Sequence, residues 1–228
     1  MQSLADLRHA IDQDPELARL LREVAPRLQD DPGHDLHHCL RVALWTIRIG
    51  GEGIDWRRAV AAALLHDIVN PPKNSPDRAR ASGLSADEAR RLLPGLGFDA
   101  EAIEDIALAI RDHSFSRGAV PERSLGQALQ DADRLEALGT LGVLRTVSTG
   151  ARMGSRYFDP EDPWAEHRPL DDKAQMVDHF FTKLFRLPGT MNTQAGREEA
   201  ERRARYMEQF LDQLGSEIGR PVARKHDG

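Results

Sequence analysis

Ala61-Ala-Ala-Leu-Leu-His-Asp-Ile68 is an apolar run of small and branched side chains ending in an imidazole and a carboxylate, and Val69-Asn70-Pro71-Pro72 follows it. Proline lacks a backbone N–H and restricts the residue before it, so no helix continues through Pro71-Pro72. His66 and Asp67 therefore fall at the end of a buried helix. Neighbours in mid-helix point about 100° apart, whereas at a frayed end both side chains can turn toward one point. An imidazole beside a carboxylate, anchored by a core helix, suits a divalent cation. Apolar burial also makes an unpaired Asp67 costly, so it needs a cation, an Arg or several donors. The competing reading is a His-Asp pair that only caps the helix.

Working outward, every segment with a period reads as helix. Upstream, residues 3–30 carry Leu4, Leu7, Ile11, Leu17, Leu20, Leu21, Val24 and Leu28 at helical spacing, with Asp14-Pro15 as cap and start of a second helix. Asp30-Asp-Pro-Gly33 is a turn. His34, His37 and His38 then open a helix with Leu36, Leu40, Ala43, Leu44 and Ile47 on one face, ended by Gly50-Gly-Glu-Gly53. Asp55 caps the helix that carries His66.

Downstream, residues 69–83 form a polar loop holding Lys73, Arg78 and Arg80. Ser85-Ala-Asp-Glu88 has the capping-box pattern and predicts a helix from there to about Leu93. Asp99 caps another helix ending in Arg111-Asp-His-Ser114. Ser124 to Leu138 is again helical, and Gly139–Val147 continues as a helix or a kinked extension. Residues 150–170 read as a long surface loop, Asp171 caps a helix through Phe185, residues 193–218 form a last amphipathic helix, and 220–228 is a tail. With no β alternation, internal repeat or Gly-rich phosphate loop, the fold class is all-α: one domain over residues 1–219, with the metal-site core at about 20–150.

Composition narrows the function. The chain has 228 residues, 40% hydrophobic and 30% charged, which suffices for a core. No run of about 18 apolar residues exists, so no membrane span is expected. The start, Met1-Gln-Ser-Leu-Ala-Asp-Leu-Arg8, has no signal-peptide core, and the single Cys39 excludes an internal disulfide, both consistent with a cytoplasmic location. A net charge of −6 disfavours a nucleic-acid polymer as partner but allows a local basic pocket for a small anion.

Taken in order, His38, His66-Asp67 and then Asp131 or Asp133 place two imidazoles and two carboxylates on three helices. Asp131 and Asp133 flank the apolar face of their helix on opposite sides, and periodicity does not choose between them. Mixed nitrogen and oxygen ligands suit one Mn²⁺, Fe²⁺, Mg²⁺, Co²⁺ or Zn²⁺ ion. Such an ion acidifies its water and polarises a phosphoryl oxygen.

His38-Cys-Leu-Arg-Val42, Ala62-Ala-Leu-Leu-His-Asp-Ile68 and Gln130-Asp-Ala-Asp-Arg-Leu135 together resemble the three motif segments of the HD-domain metal-dependent phosphohydrolase superfamily, over roughly residues 20–150. In that family the last ligand directly precedes the basic residue, which prefers Asp133 and implies His38, His66, Asp67 and Asp133 as ligands. The implied cofactor is one divalent ion, Mn²⁺ first, with Mg²⁺, Co²⁺, Fe²⁺, Zn²⁺ or Ni²⁺ as alternatives. His113-Ser-Phe-Ser116, the 130–135 segment and Gly139–Arg145 are similar to a bacterial subgroup containing nucleotide pyrophosphohydrolases. That likeness implies nucleoside triphosphates as substrates, cleaved to the monophosphate and pyrophosphate. Several HD-domain 5′-nucleotidases carry a proton-transferring Glu three residues after the Asp. Asn70 stands there in this chain and cannot take a proton from water.

Within this reading Asp67 and His113 carry the catalysis. His113 donates a proton to the leaving oxygen or hydrogen-bonds a phosphate, its alternative being a histidine interacting with a helix C-terminus. Lys73, Arg78 and Arg145 are the cations nearest in sequence to the ligand segments and are assigned to the phosphates. Tyr157, Phe158 and Trp164 stack on a base or anchor their loop. The rivals are a 5′-nucleotidase or phosphodiesterase on the same site, a non-catalytic nucleotide-binding domain of the same fold, a structural metal site, and a two-iron oxygenase. A structural site is usually closed and cysteine-rich, unlike this ligand set.

Overall fold

The computed structural model describes residues 1–28, 35–71, 80–114 and 118–222. The Asp30–Gly33 turn, His34, Lys73, Arg78 and most of the predicted tail lie outside these residues. Among the described residues the regular structure is helical, with one isolated parallel bridge between Arg156 and Gln175. The all-α reading is therefore correct. No described helix is long and apolar enough to cross a membrane. The chain divides into two compact units, Met1–Asp133 and Arg134–Gly228.

The first unit opens with α1 (Leu4–Gln13) and α2 (Pro15–Val24), separated by Asp14, whose carboxylate accepts from the amides of Glu16 and Leu17. In α3 (Leu36–Gly50) the Asp35 carboxylate accepts from His38 N, and the helix stops where Gly51 takes φ 64°. Asp55 caps α4 (Trp56–Leu65). Residues Ala59 to Leu65 of α4 are all without solvent exposure, and α4 packs on α2, α3 and α6. Alanine at four of these seven positions lets neighbouring backbones approach closely. Leu64 and Leu65 supply about 1.5–3 kcal/mol each by burial. α4 is thus the central rod, and His66 is its C-cap.

α5 (Ala81–Leu92) starts four residues earlier than the capping-box pattern predicts. Ser85 is buried inside the helix, where its hydroxyl accepts from Val69 N at 3.1 Å. Glu88, expected to bond back to the Ser85 amide, instead takes Arg27 and Arg91. These partners hold its carboxyl near 2, chiefly through Arg91 against the opposing effect of burial. At Gly97, φ is 70°, a left-handed conformation that favours glycine. α6 (Ala100–Asp112) follows, capped by Asp99.

α7 (Ser124–Leu135) carries Asp133 at the end of the first unit. The helix expected to reach Leu138 stops at Leu135. Glu136–Leu138 turn, Gly139 takes φ 69°, and α8 (Gly139–Met153) begins as a separate helix.

In the second unit, α8 packs on α10 (Gln194–Glu217). Residues 155–177 are irregular but not merely surface. Trp164 is 2% exposed and its indole donates to Arg220 O at 2.8 Å, so it anchors the loop; Tyr157 is exposed. The helix expected from Asp171 to Phe185 is reduced to α9 (Asp178–Thr182) and a 3-10 turn at Leu184–Arg186. The amides of Met176 and Val177 are drawn away to the carbonyls of Arg156 and Tyr157, at 2.9 and 3.0 Å, so a helix cannot use them. In α10, Met207 and Leu211 are buried and Tyr206 is exposed.

Candidate metal centre

His66 follows the last turn of α4. Its Nδ1 lies 2.7 Å from Ala63 O. A carbonyl only accepts, so Nδ1 carries the proton and the neutral ring offers its Nε2 lone pair outward. Burial pushes this imidazole down to about 4, against the opposing charge of Asp67, so it is neutral and ligand-ready at neutral pH. His113, just past α6, repeats the arrangement, with Nδ1 2.6 Å from Ile110 O. His38 comes from the first turn of α3.

The three rings converge. His38 Nε2 lies 3.3 Å from His66 Nε2, and the His66 and His113 rings meet edge to face at 5.0 Å. Two imidazole nitrogens this close need a proton or a cation between them. The carboxylates complete the cluster. Asp133 Oδ1 is 3.6 Å from His38 Nε2 and 4.0 Å from His66 Nε2. Asp67 is shared: Oδ2 is 3.7 Å from His66 Nε2, and Oδ1 is 3.7 Å from His113 Nε2.

These distances fit one ion. Ligand atoms about 2.0–2.2 Å from a metal lie roughly 3–4 Å from one another. Those of His38, His66 and Asp67 all fall within 4.8 Å of each other. The histidines are buried, whereas the side chains of Asp67 and Asp133 are 25% and 30% exposed. The donor set therefore has a nitrogen floor and an oxygen side open to solvent, as a site that also receives a ligand requires. Cys39, beside His38, is buried and lies outside the group formed by His38, His66 and Asp67. Burial pushes its thiol up, and the charges of Asp67, Asp35 and Asp133 push it further.

The charges are coupled. Burial alone would raise the Asp133 carboxyl, but His66, His38 and His113 outweigh it and leave Asp133 below its ordinary value. Burial likewise opposes charge on His113, but the nearby Asp67 carboxylate, with Asp133 behind it, outweighs that and raises the imidazole. His113 therefore holds its proton to higher pH than a free histidine.

Other sequence-derived candidates are placed differently. Asp131 is fully buried, two residues and so about 200° around α7 from Asp133. His37 is exposed. Arg145 belongs to α8 in the second unit, with its Nη1 buried and without a hydrogen-bond partner. Ser85, read only as a helix cap, instead ties down Val69, two residues beyond Asp67. Its only sequence signal is a small polar residue on an otherwise apolar helix face.

Comparison with known proteins agrees with this geometry. Residues 35–138 match the HD domain family. The chain is 36% identical over 195 residues to the uncharacterized protein YpgQ of Bacillus subtilis (strain 168), spanning 83% of this chain and 86% of YpgQ. The crystal structure of Bacillus subtilis YpgQ in complex with ADP is similar with a TM-score of 0.68 at 31% identity, covering 88% of this chain and 97% of that one. An HD-superfamily hydrolase from Bacillus thuringiensis gives a TM-score of 0.64 at 30% identity, covering 93% and 98% of the two chains. The protein belongs to the HD-domain phosphohydrolase superfamily.

Proposed function

We propose that this protein is a divalent-metal-dependent phosphohydrolase that converts nucleoside triphosphates to monophosphates and pyrophosphate. The observation that supports the reading is the cluster of His38, His66 and Asp67, with Asp133 near both histidines and His113 beside Asp67. The ADP bound to the similar YpgQ supports a nucleotide as ligand. His38, His66, Asp67 and Asp133 would hold the ion, Mn²⁺ being our first choice. When bound, a divalent ion supplies Lewis-acid chemistry, acidifying water and offsetting phosphate charge.

The chain's own residues do the rest. His66 Nδ1–H is fixed to Ala63 O, which keeps its outer nitrogen aimed at the cluster. Asp67 bridges the ligand side to His113 and favours the protonated ring. His113 then holds a phosphate oxygen or protonates the leaving oxygen. Attack of water on the α-phosphorus expels pyrophosphate, a stable anion that needs a proton less urgently than an alkoxide. Asn70, where a proton-transferring Glu stands in some relatives, is compatible with that leaving group.

Triphosphates should therefore turn over at least ~10-fold faster than monophosphates, about 1.4 kcal/mol in barrier. Release of phosphate and pyrophosphate is measured across nucleotides with Mn²⁺, Mg²⁺ and Co²⁺ added separately, and the products of one nucleotide are separated by chromatography. Diphosphate plus inorganic phosphate, or brisk release of nucleoside from a monophosphate, would overturn the choice of bond. The second outcome would point to a nucleotidase using His113 as its acid.

A further inference from the structure

Gln130 opens the segment that carries Asp133, yet the chemistry above gives it no task. It is 1% exposed on α7, one turn before Asp133. Its amide nitrogen lies 2.8 Å from Asp112 O and 2.9 Å from Ala119 O. A carboxamide has two N–H groups, and both are spent on backbone carbonyls. One carbonyl belongs to the residue immediately before His113, among the last of α6 that lack a partner within their own helix. The other lies beyond His113, on the way to α7. A single side chain thus clips both flanks of the His113 segment to the helix that bears Asp133.

His113 needs such a clip. Its ring is fixed to its own helix end through Ile110 O, but its partner Asp67 comes from the end of α4. Nothing in the ring's local bond sets the distance between the two helix ends. We infer that Gln130 is a positioning residue: by holding Asp112 and Ala119 against α7, it sets His113 Nε2 at its 3.7 Å separation from Asp67 Oδ1. This rests on the proposed function, in which His113 contacts the phosphate. A misplacement of about 1 Å at such a group costs on the order of 100-fold in rate.

The test is Gln130→Met, which keeps volume and removes both donors. kcat should fall about 10- to 100-fold, with metal stoichiometry unchanged because no ligand is touched. The loss should vanish in the background of His113→Ala, since the double variant can lose His113 only once. If the two losses multiply instead, Gln130 acts on general structure and the proposal fails. If Gln130→Met does not fold, Gln130→Asn, which keeps the amide but shortens its reach, takes its place. A second readout needs no turnover. In metal-free wild type, the ¹⁵N shifts of the His113 ring should respond to Asp67→Asn, and in the Gln130 variant that response should disappear. An unaltered response overturns the assignment whichever nucleotide is cleaved. Absence of wild-type turnover on every nucleotide would overturn the phosphohydrolase reading, while the ring signal still judges Gln130.

Discussion

Asp67→Ala should strip the protein of divalent metal and reduce turnover by on the order of 1000-fold, about 4 kcal/mol in barrier. The size follows from the double engagement of this carboxylate. One oxygen faces His66 Nε2, where the ion would be held, and the other faces His113 Nε2, whose proton it retains. Alanine removes both at once, leaving three ligands and an imidazole returned toward its ordinary acidity. The control is the pair on α7. Asp133→Asn should lose metal and activity together, because the Asp133 carboxylate faces both ligand histidines. Asp131→Asn should affect only stability, because that side chain is sealed in the core. Metal analysis of the purified variants decides the matter: wild-type metal content in Asp67→Ala, or the reverse order for the two α7 variants, would refute the ligand set.

The largest expected effect on stability lies away from the site. Asp178 in α9 has no solvent exposure, and its carboxylate accepts from both terminal nitrogens of Arg168, at 2.5 and 2.9 Å, and from Asp171 N at 2.7 Å. Breaking a buried pair by removing one partner strands the other charge, at a cost of about 3–5 kcal/mol. Arg168→Met should therefore lower Tm by roughly 10 °C and leave the metal content of the first unit intact. Arg168→Met combined with Asp178→Leu should regain much of that loss, since no charge is then buried alone. A single variant as stable as wild type would show that the bidentate pair is not formed.

The sequence made the helices legible for a physical reason. Asp14, Asp55 and Asp99 cap the helices they precede, because a short carboxylate satisfies free amides locally and needs no tertiary partner. The run into Pro71-Pro72 likewise forces a helix end at His66. Signals that depend on distant partners were misread. Ser85 has the pattern of a cap, but Val69 uses its hydroxyl. Asp171 has the pattern of a helix start, but Arg156 and Tyr157 take the amides that would continue it. The choice between Asp131 and Asp133 could not come from helical periodicity, which places both at the margin of the apolar face. The fold separates them by burial and by nearness to His38. The work of Gln130 was invisible for the same reason: both of its carbonyl partners lie more than ten residues away along the chain.

His66 and His113 each terminate a helix and each hold a ring proton on a carbonyl of that same helix. The orientation of each ring on its own helix is therefore set by covalent connectivity and one short local bond, in place before any cation arrives. Such a centre is preorganised, and loading it does not drive folding, in contrast to small zinc modules that are unstructured without metal. Chelation should then leave the far-ultraviolet circular dichroism of the protein essentially unchanged while activity disappears, and re-addition of the ion should restore turnover without a refolding lag.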